Sequence, residues 1–408
     1  MKNYTILFIV LYSLCTNCFH PAKQVDAEYS SIKDIDILAS IANSQKVNLS
    51  TIASDIDYCI LETDKKCLVT PGMSIYCSKD YIVTIGGNQG YAACYVFERK
   101  TGKFVRQISR EGQGPGEYTE TMSPFWDGEN EQVCFFGNNQ YLFYNLDGTL
   151  SHRINRFTLR MTNFLVYKDL YVGYVHNSFG NSTIRIAFFD TSGILVDSIS
   201  EYRSWERTHT WWTGGGNEGR VYNFCNELYY KDIYCDTLYQ IKDFTLHPRY
   251  IFNTGGKAVP YKMQEDGQYD LIAAMRGGEY DRYEKYIVIN SILTDKKFLY
   301  FTFDYRKLRY PVIYNKMEDR LRIMSPVSIP PPSRDAKGQR YGFENDLDGG
   351  LPCWPVQMIS EKEMMCVYSA EDLLKLDISK ITDEKLKTVL NDIEIENNPV
   401  VAIVTLKD

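Results

Sequence analysis

Short apolar runs recur along this chain, and most of them come in pairs joined by a glycine turn. Tyr95-Val96-Phe97 turns at Thr101-Gly102 into an apolar–polar alternation over 104–108. Leu142-Phe143-Tyr144 turns at Asp147-Gly148 into 150–154, and Ile186-Ala187-Phe188-Phe189 turns at Ser192-Gly193 into 194–199. Each pair predicts a β-hairpin with glycine where the turn needs positive φ. A fourth hairpin fits Thr237-Leu238-Tyr239-Gln240-Ile241 with 244–246, and a fifth fits 298–303 with Val312-Ile313-Tyr314. A sixth strand group covers 354–359 and 364–368.

The turn glycines Gly102, Gly148 and Gly193 stand 46 and then 45 positions apart. A repeat of that length built only of hairpins predicts propeller blades. Later units carry insertions, so the strand groups set the count, and they give an all-β, six-bladed β-propeller. The C-terminal region adds one short helix over 383–393, with Leu386, Val389 and Leu390 on one side, and then an apolar strand over 399–406. Left alone, that strand would be an exposed hydrophobic edge. The expected remedy is closure of the ring by an N-terminal strand, either 47–52 or 58–61. The predicted organisation is a signal segment over 1–18, a tether over 19–46 and the propeller domain over 47–408.

One stretch between blades is unlike the rest: Gly112-Gln113-Gly114-Pro115-Gly116-Glu117-Tyr118. Three glycines and a proline in five positions exclude helix and strand interior and predict a tight loop of fixed course. That stretch resembles one found in the six-bladed β-propeller lipoproteins of diderm bacteria. So do Cys235-Asp236-Thr237-Leu238-Tyr239, the run Asn345-Asp346-Leu347-Asp348-Gly349-Gly350-Leu351-Pro352-Cys353-Trp354-Pro355, and Asn398-Pro399-Val400-Val401. The resemblance implies the propeller fold and an exported, lipid-anchored location in the cell envelope, periplasm or outer membrane. It implies no catalytic residues, because the family is mostly of unknown function.

Composition agrees with a β fold: apolar residues make up 44%, aromatics 14%, and tyrosine contributes 32 of 408 positions. The formal net charge is −7 and no basic stripe exists, which excludes nucleic acid as a partner. Lys2, an apolar run over 4–14 and the following Cys15 and Cys18 read as an export segment. The run is too short to span a bilayer. Cys18 is the expected lipidation site, although the residues before it make a poor lipobox, so contact with the membrane is expected only through that lipid. The nine later cysteines are scattered, several within apolar runs, and read as buried thiols.

Candidate chemistry lies in the long connections 110–122, 201–217, 253–283 and 325–352. Strand order in a propeller should gather these four on one rim, and function concentrates on loops held by a rigid scaffold. Arg110, Glu117, Tyr118, Trp211, Trp212, Asp346, Asp348 and Trp354 are the candidate ligand-binding residues. The tryptophans beside Gly214-Gly215-Gly216 suit stacking on a sugar or peptide, or else plug the loop into the core. Asn345-Asp346-Leu347-Asp348-Gly349 resembles part of a calcium loop, but position 12 from Asp346 is Gln357 where an EF-hand needs glutamate. Asx-turn chemistry accounts for it better than a divalent cation, and no cofactor is expected. No HExxH, GxSxG, Walker loop or post-strand GxGxxG occurs. The expectation is a monomer that binds a glycan, peptide or envelope protein without catalysis. The alternative is a glycan hydrolase or lyase working through channel-mouth carboxylates.

Overall fold

The computed structural model describes residues 32–407 apart from 71, 89–90, 109–111, 113, 115–116, 119–121, 138, 178, 205–218, 262, 264–283, 330–339 and 382. Six sheets form the blades. Blade one holds Ser74–Cys77, Tyr81–Asn88, Tyr91–Glu98 and Phe104–Gln107; blade two holds Met122–Asp127, Gln132–Gly137, Gln140–Asn145 and Leu150–Asn155. Blade three holds Met161–Tyr167, Leu170–Val175, Ile184–Asp190 and Leu195–Ser200. Blade four holds Gly219–Phe224, Glu227–Asp232, Thr237–Lys242 and Thr245–Asn253. Blade five holds Val288–Thr294, Phe298–Tyr305, Leu308–Asn315 and Arg320–Ile323. Blade six holds Gln357–Ser360, Glu363–Tyr368 and Val400–Leu406, with the N-terminal Ala53–Ile60 as its outermost strand.

Gly102, Gly148 and Gly193 have φ of +70°, +88° and +80°, as their hairpins require. Blade four turns from its third to its fourth strand without glycine, at Asp243-Phe244, and blade five joins its middle strands at Arg306-Lys307, all four residues in the left-handed region. The blades' middle strands are buried on both faces, because each sheet packs between two others. Phe252 of blade four meets Phe301 of blade five at 4.9 Å, and Tyr118 stacks on Phe135 at 4.7 Å. Only Thr405 of Val400–Leu406 is not fully buried, so this strand reads as a continuous apolar run.

Ring closure follows the second of the two expected pairings. Ala53–Ile60 runs antiparallel to Val400–Leu406, from Ala53 opposite Leu406 to Ile60 opposite Val400. The 47–52 segment is not a strand. Leu49–Thr51 forms a 3-10 turn, and its neighbours bond to the connection before blade six, with Leu49 N–H donating to Glu344 O and Glu344 N–H to Val47 O. Burial of the Leu49 side chain at this seam fixes that course. Within the stretch expected as a tether, Lys33–Asp36 adds a fifth, parallel strand to the outer edge of blade four. Ile35 and Ile37 are buried there, so Lys33–Ile37 is part of the packed body.

The expected C-terminal helix is Glu384–Asp392, capped by the Asp383 side chain, which accepts from Leu386 N–H. Its Leu386, Val389 and Leu390 face inward. A four-residue helix, Ala370–Leu373, precedes it in the same insertion of blade six.

Candidate functional site

First strands of neighbouring blades contact one another, Met161–Tyr167 with Gly219–Phe224 and Gln357–Ser360 with both Val288–Thr294 and Ser74–Cys77, so the first strands are the inner ones. In a four-stranded antiparallel blade, the connection to the next blade and the turn between the middle strands then share a face. Connections 108–121, 201–218, 254–287 and 324–356 start and finish on this face, as does the 369–399 insertion. The opposite face carries the tight turns, such as 168–169, 225–226 and 361–362. The two faces differ sharply in how much chain they present.

Arg110, Trp211, Trp212 and the lipidation candidate Cys18 lie outside the described residues. The other five candidates fall into two groups. Glu117 and Tyr118 belong to the seam of blades one and two. The Glu117 carboxylate turns back to accept the Gly114 N–H at 2.8 Å, and Glu117 N–H donates to Gly114 O at 3.0 Å. A Cβ on Gly112 would come within 1.9 Å of that carboxylate, so any other residue there would displace it. The loop is therefore folded around its own glutamate, while Tyr118 is a core ring, 1% exposed.

Asp346, Asp348 and Trp354 gather at the seam of blades five and six. Asp346 accepts from Ser50 N–H at 2.9 Å and from Ser50 Oγ at 2.5 Å. Burial works against its charge, but these bonds win and hold the carboxyl below its ordinary range. Asp348 accepts the Tyr58 hydroxyl at 2.6 Å and the Gly350 N–H at 2.7 Å. Burial dominates here and raises the Asp348 carboxyl above its ordinary range. Burial and the neighbouring Asp348 charge push the Tyr58 phenol well up. Trp354 stacks on Phe343 and is buried. Both aspartates thus clasp the N-terminal segment to the last connection, the work of turn and clasp chemistry. Among the described residues, no cluster of three or more His, Cys, Asp or Glu side chains is placed to hold a metal ion.

Sequence reasoning missed a charge network on the loop-rich face, at the seam of blades three and four. Arg185 grips Glu201 through two bonds, Nε to Oε2 at 3.1 Å and Nη2 to Oε1 at 2.9 Å. Arg203 also binds Glu201 and reaches Asp232 of blade four at 2.9 Å. Burial opposes the Glu201 charge, yet the two guanidinium groups keep that carboxyl below its ordinary range. Two cations and two anions, paired in good geometry, satisfy the condition for burying charge. The Arg203 guanidinium lies 4.2 Å from the Tyr261 ring centre, and Asn177 donates to the Tyr261 hydroxyl at 3.1 Å.

This network bolts down the roots of two long connections, at 201–204 and at 254–261. It also seats one exposed aromatic residue. Tyr202 is 81% exposed, and the Arg185 guanidinium stands 4.8 Å from its ring centre. The signal available in sequence was charge at the ends of apolar strands, as in Ile184-Arg185-Ile186 and Tyr229-Tyr230-Lys231-Asp232. The pairing partner lies on another blade, so spacing along the chain does not reveal it.

A family model described as a domain of unknown function (DUF4934) matches residues 32–405, and the chain belongs to that family. No curated protein matches. Among solved structures, the fold is similar to that of a Bacteroides fragilis protein thought to be exported. That pair has a TM-score of 0.67 and 19% identity over 93% of this chain and 100% of that one. A DUF4221 family member from Bacteroides vulgatus gives 0.51 and 11%, over 89% of this chain and 99% of that one. At these identities the likeness shows the fold.

Proposed function

We propose that this chain is an exported propeller of a diderm cell envelope that binds a glycan, peptide or partner protein on its loop-rich face, without catalysis. The observation that carries the reading is Tyr202, an exposed ring held over a buried arginine at the root of the long connections. An aromatic ring offers large contact area at low entropy cost, and the guanidinium beneath it favours the seated orientation. Of the carboxylates on which the acid–base alternative rested, Glu111 lies outside the described residues and the other three hold partners within the fold: Glu117 with Gly114, Asp346 with Ser50, and Asp348 with Tyr58. That supports recognition over turnover. Export is supported by the apolar leader and by the fold likeness to a protein thought to be exported. Cys18 remains the proposed lipid site, and Cys18→Ser should move the protein out of the membrane fraction.

The test is a glycan and peptide array probed with the soluble domain, with turnover followed on every hit. Tyr202→Ala, Trp211→Ala and Trp212→Ala should each weaken a hit by about 1–3 kcal/mol and leave thermal stability unchanged. Hits that bind all three variants as well as the parent would place recognition elsewhere. Loss of folding in the tryptophan variants would identify those rings as core plugs.

A further inference from the structure

The opposite face carries a feature that the proposed recognition face does not use. Between blades four and five, a cavity of about 180 Å³ opens among the tight turns. A cavity of roughly 150 Å³ accepts benzene, so this one has room for a single small molecule.

Its lining has two characters. Blade four supplies an aromatic wall of Phe224, Tyr229 and Tyr250, with Phe224 and Tyr229 ring centres 5.6 Å apart. Glu227 stands at the end of that wall and accepts the Tyr229 hydroxyl at 2.7 Å, which leaves acceptor capacity on its carboxylate. Blade five supplies Lys316 across the slot. Its ammonium donates to Thr294 Oγ1 at 3.0 Å and to Asp295 O, using two of three donors. Burial lowers the Lys316 pKa and the neighbouring Asp295 charge counters this. The second cation and second anion of the lining are accounted for: Lys296 pairs with Glu361, and Asp295 accepts from Tyr300 and the turn N–H groups of Lys297 and Phe298.

An anion would meet Glu227 and a π wall, and a cation would meet Lys316. A molecule carrying both charges meets neither penalty. We propose that this cavity is a binding site for a small zwitterion of free amino acid or betaine size. Its ammonium group lies against the aromatic wall and Glu227, where aromatic faces attract cations, and its carboxylate takes the remaining donor of Lys316.

Cys225 reports on occupancy. It lines the cavity, and of the nine described cysteines it alone is exposed. The experiment titrates free L-amino acids and glycine betaine into the protein by calorimetry, with acetate and tetramethylammonium as single-charge controls. In parallel, maleimide labelling of Cys225 is followed with and without each compound. The expected result is saturable binding of one or more zwitterions, slowed labelling, and both controls weaker by at least an order of magnitude. Glu227→Gln and Lys316→Met should each lower affinity by roughly ten- to a hundredfold with the melting temperature kept. Binding of no zwitterion at millimolar concentration overturns the proposal. So does a single-charge control that binds as well as the zwitterions, or binding unchanged in both variants. The array test of the loop-rich face uses other residues, so the two readings fail separately.

Discussion

The N-terminal segment is used twice, and the two uses have different consequences. Ala53–Ile60 completes blade six, pairing antiparallel along the whole of Val400–Leu406. Lys33–Asp36 lies parallel on the edge of a blade that already has four strands. The first contact joins chain ends that are hundreds of residues apart, and without it the ring has an open apolar edge. The second covers an edge and wedges Ile35 and Ile37 into the seam of blades four and five. One strand is a condition of the fold, and the other adds stability to a ring already closed.

The largest expected effect breaks the first strand's partner. Deleting 399–408 should abolish cooperative folding altogether, because it removes the third strand of blade six and strips Ala53–Ile60 of its pairing. Far-UV circular dichroism with a thermal melt checks this, and a truncated protein that melts as the parent does would refute it. At the second strand, Ile35→Ala should cost about 2–5 kcal/mol in urea unfolding with the m-value unchanged. Loss of the cooperative transition would show that the parallel strand, too, is a condition of the fold.

The clasp between the closing strand and the last connection should be weaker. Tyr58→Phe leaves the buried Asp348 carboxylate without its hydroxyl donor and should cost about 1–3 kcal/mol, read by the urea midpoint at neutral pH. An unchanged midpoint would remove this bond from the closure.

The smallest effects are the most discriminating, because the clasp's two aspartates titrate in opposite senses. The folded pKa of Asp348 is raised, so its contribution to stability falls as pH rises from the ordinary carboxylate value through the raised one. The folded pKa of Asp346 is lowered, so its contribution is present above the ordinary value and is lost as pH falls through the lowered one. Urea unfolding across the acid range should show Asp348→Asn flattening the first slope and Asp346→Asn the second. The same sign of change in both variants would contradict this assignment.

Some of this was legible from residues alone. Gly102, Gly148 and Gly193 mark their hairpins because glycine is the residue that reaches positive φ without strain. Asp243-Phe244 and Arg306-Lys307 make comparable turns with no such mark, since there the pairing of their strands imposes the conformation. The helix over 383–393 was legible from its apolar spacing, and the packed strand at Lys33–Asp36 was not, because four residues are too few to establish a period.

The same boundary separates the two kinds of site residue. Glycines around Glu117, and aspartates in an Asn-Asp-Leu-Asp-Gly run, are local features, and the sequence pointed to them. What they do was decided by their partners: Gly114 within the loop, but Ser50 and Tyr58 from almost three hundred positions away. The Arg185–Glu201–Arg203–Asp232 network and the Glu227–Lys316 cavity were invisible because each joins two blades. By itself the sequence determined most of the blade strands, the number of blades and the face on which the long connections fall, since these follow from local periodicity and turn chemistry. Which charges meet across a seam, and which seam stays open, was settled only when the ring closed and brought distant strand ends together.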